Sequence, residues 1–224
     1  MKPLLTLVLL ASGAATAWGQ LTREQRLIDF QTLAAQFAKR YAPYEWKRTN
    51  FGVDLLNISP YLDRAATAKD DLEFYDVCIE YVSQLRDAHS YVGVPSDFTV
   101  WLDITADIYD GKVLIDGISR SRLSARQFPF QVGDELVSMD GKPVEEILQS
   151  LEKYTQAASP RSTRRLAANY LTIRPQALIP RAIDAGDKST VAVRRQNGAL
   201  ETYELPWNKE GVPLSFAGPV PAPK

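Results

Sequence analysis

His89 is the sole histidine of this chain and Cys78 the sole cysteine, which closes most catalytic constellations at once. A histidine or cysteine metal cluster needs more ligands than that, and no carboxylates stand at a recognisable ligand spacing, so neither a metal nor another cofactor is expected. The chain has no Gly-x-Ser-x-Gly elbow, no phosphate-binding glycine loop and no dinucleotide fingerprint. Cys78 shares a helical face with Tyr75, Val82 and Leu85, the pattern of a buried, inert thiol. The acidic pairs Asp70-Asp71 and Glu145-Glu146 stand at expected helix starts, where they complement the helix dipole. That leaves His89, within Gln84-Leu85-Arg86-Asp87-Ala88-His89-Ser90-Tyr91-Val92. Its type allows either a hydrogen-bonded structural histidine or a general base. A general base needs a nucleophile within hydrogen-bond reach, and the sequence does not identify one.

His89 falls where helical periodicity gives way to strand alternation. Upstream, Thr22-Arg23-Glu24-Gln25 has the form of a capping box, followed by Leu27, Phe30, Ala34, Phe37 and Tyr41 at helical spacing. Pro43 is expected to end that helix. Ser59-Pro60 reads as an N-cap and first helical position, and Asp70 with Glu73 opens a third helix carrying Leu72, Tyr75, Cys78, Ile79, Val82 and Leu85. Three amphipathic helices in succession predict a small helical bundle over residues 20–95.

From Pro95 onward the period changes to two. Trp101, Asp103 and Thr105 alternate against Leu102, Ile104 and Ala106, and Val113 and Ile115 follow Asp110-Gly111. The stretch from Phe130 to Val144 then reads as turn, buried strand, tight turn and helix start. Gly133-Asp134 makes the first turn, Leu136, Val137 and Met139 the strand, and Asp140-Gly141 a type I′ turn. Val144, Ile147, Leu148 and Leu151 recur at helical spacing behind Pro143, and residues 162–171 predict a further helix, with Arg161, Arg164 and Arg165 at its start read as a solvated face. Residues 190–195 and 202–205 flank Asn197-Gly198 as a hairpin. After Trp207 the chain reads as irregular, with Gly211, Pro213, Gly218, Pro219, Pro221 and Pro223 giving a linker or tail over residues 209–224.

Lys2, the apolar run from Leu4 to Ala11 and the small residues up to Gly19 form a signal segment over residues 1–19, so the mature chain is expected to be exported, periplasmic or extracellular, with no membrane span. A net charge of −1 gives no bias toward nucleic acid. Charge is nevertheless uneven: residues 59–90 hold seven acids against three bases, and residues 118–181 six acids against ten bases, a polarity that suits docking of the two segments or plain solvation.

The ordered string Val132-Gly133-Asp134-Glu135-Leu136, then Asp140-Gly141-Lys142-Pro143-Val144, resembles the core of a bacterial-type PDZ domain. Together with Tyr41-Ala42-Pro43-Tyr44-Glu45-Trp46-Lys47 and the Asp87-Ala88-His89-Ser90 motif before it, the arrangement resembles the N-terminal half of the tricorn-core and C-terminal processing serine peptidase family. The resemblance implies an α+β fold, a helical bundle followed by a PDZ-like domain over residues 96–208. It also implies the role of general base for His89 in the tricorn-like branch; in the processing branch a lysine of a later domain takes that role. The family's nucleophilic serine and oxyanion hole belong to a domain after the PDZ domain, so these 224 residues are expected to be inactive alone and to need a catalytic domain or partner chain. The implied ligands are peptide or unfolded protein segments. The segment Phe98 to Ile104 corresponds to the family's carboxylate-binding loop, which offers Trp101, Leu102 and Ile104 to a peptide, although it lacks the usual glycines and carries Asp103. The alternative is a non-catalytic exported PDZ-like module that binds peptides or a partner protein.

Overall fold

The computed structural model describes residues 20–214; the expected signal segment and the end of the Pro/Gly-rich tail lie outside the described residues. The helical region comprises α1 (Arg23–Arg40), α2 (Tyr44–Phe51), α3 (Ser59–Thr67) and α4 (Asp71–Ser83). The capping box forms as its residues dictate: the Thr22 hydroxyl accepts from the Gln25 N–H while the Gln25 side chain accepts from the Thr22 N–H. Asp70 caps α4 through the Glu73 N–H. Helix α2 departs from the sequence reading. Pro43 ends one helix but also stands at the N-cap of the next, where its missing N–H costs nothing. The start of α3 shifts by one residue, with Ile58 at the cap and Ser59 already helical. Phe30, Leu55, Val77, Tyr81 and Leu85 are buried at the centre, with Phe30 edge-on to Tyr81 at 5.1 Å. Cys78 lies in this core, and burial pushes its thiol up to about 12, the state of an inert side chain.

The second half is built on strands β1 (Thr99–Trp101), β2 (Ile104–Tyr109), β3 (Lys112–Ile118), β4 (Glu135–Met139), β5 (Lys142–Pro143), β6 (Ile173–Pro175), β7 (Lys188–Arg194), β8 (Leu200–Pro206) and β9 (Asn208–Glu210), with helices α5 (Val144–Leu151) and α6 (Pro160–Ala168) between β5 and β6. The main sheet runs β2-β3-β4-β7-β8, with β5 folded back on β4, and a smaller sheet runs β6-β1-β9. Asp140 and Gly141 both take positive φ, 50° and 79°, as a type I′ turn requires, and the turn aims the chain into α5. Asp140 is fixed there by the Ser189 hydroxyl and the Thr190 N–H, both at 2.9 Å. Leu136, Met139, Leu148, Val191, Val193 and Leu205 close the core between sheet and helix. Strand β9 is a second departure. The chain after Trp207 does not turn irregular at once; residues 208–210 pair antiparallel with β1.

The two halves meet where α4 packs against a 3-10 turn, Glu152–Tyr154. The charge polarity of the sequence appears here as ion pairs: Lys153 reaches Asp76 at 3.4 Å and Glu80 at 3.5 Å, and Arg181 reaches Asp70 at 3.4 Å. The Tyr154 hydroxyl donates to buried Asp76. Burial works against the charge of Glu80, but Arg64, at 2.9 Å, and Lys153 more than offset it and hold the carboxyl below its ordinary 4.5. Because the folded value lies below the unfolded one, this stabilisation is complete above the ordinary value and is lost as pH falls through the folded value. Urea midpoints taken from about pH 6 down to about pH 3 are expected to fall, and Glu80→Gln to flatten the lower part of that fall. An unchanged pH profile in the variant would contradict the assignment.

Candidate functional site

Helix α4 ends at Ser83, and buried Leu85 pins the chain before it turns. Arg86 then takes φ of 51°, a left-handed conformation that non-glycine residues seldom hold, and swings the next three residues outward. Asp87 organises this loop. Its Oδ1 accepts from the His89 N–H at 3.0 Å, closing an Asx turn, and its Oδ2 accepts from the Tyr41 hydroxyl at 2.9 Å and the Ser90 hydroxyl at 3.2 Å. The His89 N–H bond, with those from Tyr41, Ser90 and the imidazole, holds the Asp87 carboxyl below the usual range against the cost of burial. Burial, and then the bond to Asp87, push the Tyr41 hydroxyl in the opposite direction. Lys47 donates to the Arg86 carbonyl at 2.8 Å. Tyr41 and Lys47, the ends of the Tyr-Ala-Pro-Tyr-Glu-Trp-Lys string, therefore brace the histidine loop, a role the sequence did not reveal.

His89 itself is 97% exposed, with Nδ1 3.4 Å from Asp87 Oδ1. The carboxylate thus stands beside Nδ1, and Nε2 faces away from it with the ring in solvent. Ser90 does not meet Nε2: its hydroxyl donates to Asp87. The imidazole stands on the rim of a cleft of about 660 Å³, with Lys47, Arg86 and Asp87 on its own side and Asp107, Ser162, Arg165, Leu166 and Asn169 across from it. On the other side of the segment 90–92 lies a cavity of about 330 Å³ between the two halves, lined by Ile79, Tyr91, Val92, Phe98, Tyr154 and Leu178 among others.

The proposed peptide-contacting residues fare differently. Leu102 and Ile104 are 3% and 2% exposed and belong to the core, so their side chains are not offered to a ligand; the alternation that singled them out marks the buried face of a strand. Trp101 is half-buried. The backbone of this segment is also spent. Strand β1 is paired on both edges, the Leu102 N–H donates to the Thr172 carbonyl at 2.9 Å, and Asp103 accepts from Asn208 at 3.0 Å. A carboxylate-binding loop needs free N–H groups, and these are used. Among the described residues no three metal-ligating side chains come together, and no helix is long and apolar enough to cross a membrane.

The order of strands around α5, with the Gly133-Asp134 and Asp140-Gly141 turns, defines the class: the chain belongs to the PDZ domain family, whose model matches residues 99–213. Over a longer stretch it is similar to an uncharacterized protein of Chlamydia muridarum, 25% identical over 195 residues that make up 84% of this chain and 30% of the relative. Its fold is shared with mature CPAF, at a TM-score of 0.72 and 23% identity over 84% of this chain and 35% of that one. Mature CPAF complexed with lactacystin gives the same score and identity over 90% and 39%. The chain thus spans about a third of the length of the proteins it matches. The shared fold includes the helical half as well as the PDZ domain.

Proposed function

We propose that this chain is the non-nucleophile part of an exported serine peptidase of the tricorn-like or processing type, in which the PDZ domain recognises peptide segments and, in the tricorn-like form, His89 is the general base. The observation that carries the reading is Asp87, braced by Tyr41 and bonded to the His89 N–H, with the exposed imidazole 3.4 Å from its carboxylate at the rim of a cleft. Such an imidazole is reactive only when a second surface covers it, excludes water and brings a hydroxyl to Nε2. The fold shared with about a third of mature CPAF supports a larger assembly of which these residues are one segment. The serine, the oxyanion donors and the peptide to be cut would come from the remaining segment or a partner chain. The signal-like residues 1–19 support export.

The purified 224-residue chain is expected to leave an unstructured fluorogenic peptide intact, because among the described residues no hydroxyl is bonded to the imidazole. Hydrolysis by the chain alone that disappears in His89→Ala would overturn the assignment of the nucleophile to another segment.

A further inference from the structure

PDZ domains take peptides by adding a strand to a sheet edge, with main-chain bonds for affinity and side-chain pockets beside the edge for specificity. The main sheet has two end strands, β2 and β8. Of these, β2 opens on a cleft, through Asp107. The tight turn Asp110-Gly111, with φ of 47° and 81°, makes Tyr109 and Lys112 a hydrogen-bonded pair. Alternation along the ladder then turns the Ile108 N–H away from β3, toward the edge where an added strand would lie. That donor is already taken, by Asp107 Oδ1 at 2.7 Å.

Asp107 is in turn held from α6. Arg165 Nε and its terminal nitrogen reach Asp107 Oδ2 at 2.9 and 2.7 Å. The neighbouring Arg164 donates to the Gly111 carbonyl in the β2–β3 turn at 3.2 Å and to Glu145 in the first turn of α5 at 2.5 Å. Helix α6 packs on both β2 and α5, with Ala167 and Ala168 fully buried beneath it. Two consecutive arginines thus strap α6 across the space between the end strand and the helix. Read as a solvated face in the sequence, they are instead paired.

We infer that α6 is a built-in latch on the peptide edge of this PDZ domain: Arg164 and Arg165 hold it against β2, and strand addition requires their release. The inference rests on the proposed recognition of peptides by this domain. It places the control of binding beside His89, since Asp107 and Arg165 line the same cleft.

The test compares the wild-type chain with R164E/R165E, which sets negative charge against Glu145 and Asp107, and with the milder R164Q/R165Q in case the first fails to fold. The probe is a phage-displayed library of random decapeptides, and hydrogen exchange reads the edge amide held by Asp107, that of Ile108. The latch predicts no enrichment on the wild type, enrichment of a consensus on the variants, and exchange at least about tenfold faster at the Ile108 amide, following the rise in the binding-competent population. Equal enrichment on wild type and variants would overturn the latch and leave peptide recognition standing. Faster exchange with no enrichment on any form would overturn peptide recognition, and the latch with it. Unchanged exchange in folded variants would show that the two arginines do not hold the edge closed.

Discussion

Asp134→Ala is expected to destabilise the PDZ domain by about 1–3 kcal/mol, because it removes a buried carboxylate that is the acceptor for two part-buried backbone N–H groups. Asp134 is 2% exposed and accepts from the Gln131 N–H at 2.6 Å and the Gln196 N–H at 3.1 Å. Those bonds tie the turn before β4 to the loop after β7, so one carboxylate closes this end of the antiparallel β4–β7 pair. Arg195 also reaches it at 2.8 Å, but Arg195 keeps Glu201 after the substitution and is not stranded. The loss therefore falls on the two amides. Urea unfolding checks it directly. Asp134→Asn, which retains one acceptor oxygen, is expected to lose less. A midpoint for the alanine variant indistinguishable from wild type would show that the turn is held by packing alone.

The second large effect belongs to the histidine. On the proposed reading, His89→Ala in the full-length protein is expected to lower peptidase kcat by about 10² to 10⁴, the range a positioned general base contributes, with KM little changed. The fold is expected to be unaffected, since the side chain lies almost entirely in solvent. A loss of activity accompanied by a loss of stability would point to a structural histidine instead, the reading that its residue type alone left open.

Much of this fold is legible where local chemistry decides. Thr22 with Gln25 and Asp70 before Glu73 bond to a backbone group three residues away, and Asp140-Gly141 takes the positive φ values of its own tight turn, so their sequence spacing is their structure. What sequence did not reveal is non-local. Strand β9 has no apolar alternation of its own and exists because β1, more than a hundred residues earlier, offers it an edge. Helix α2 is short and weakly amphipathic, and Pro43 reads as a stop although it equally permits a start. Leu102 and Ile104 show why alternation finds a strand but not its function: the same pattern marks a core face and a ligand face. The site divides in the same way. The Asp-Ala-His-Ser motif pointed to His89, and its Asx turn is local. Tyr41, which braces Asp87 from 46 residues upstream, and Arg165, which meets Asp107 across 58 residues, become visible only once the chain is folded.

Whether these residues supply the base of a peptidase is tested most directly in the native material. The polypeptide or complex that carries this chain would be isolated from its own cells with an antibody against the helical region. It would then be assayed on an unstructured peptide beside the same material carrying His89→Ala. A base at His89 predicts hydrolysis by the wild type and a rate lower by about a hundredfold or more in the variant, at equal amount and equal mass. Equal rates in the two, or no hydrolysis by the wild-type material, would contradict it.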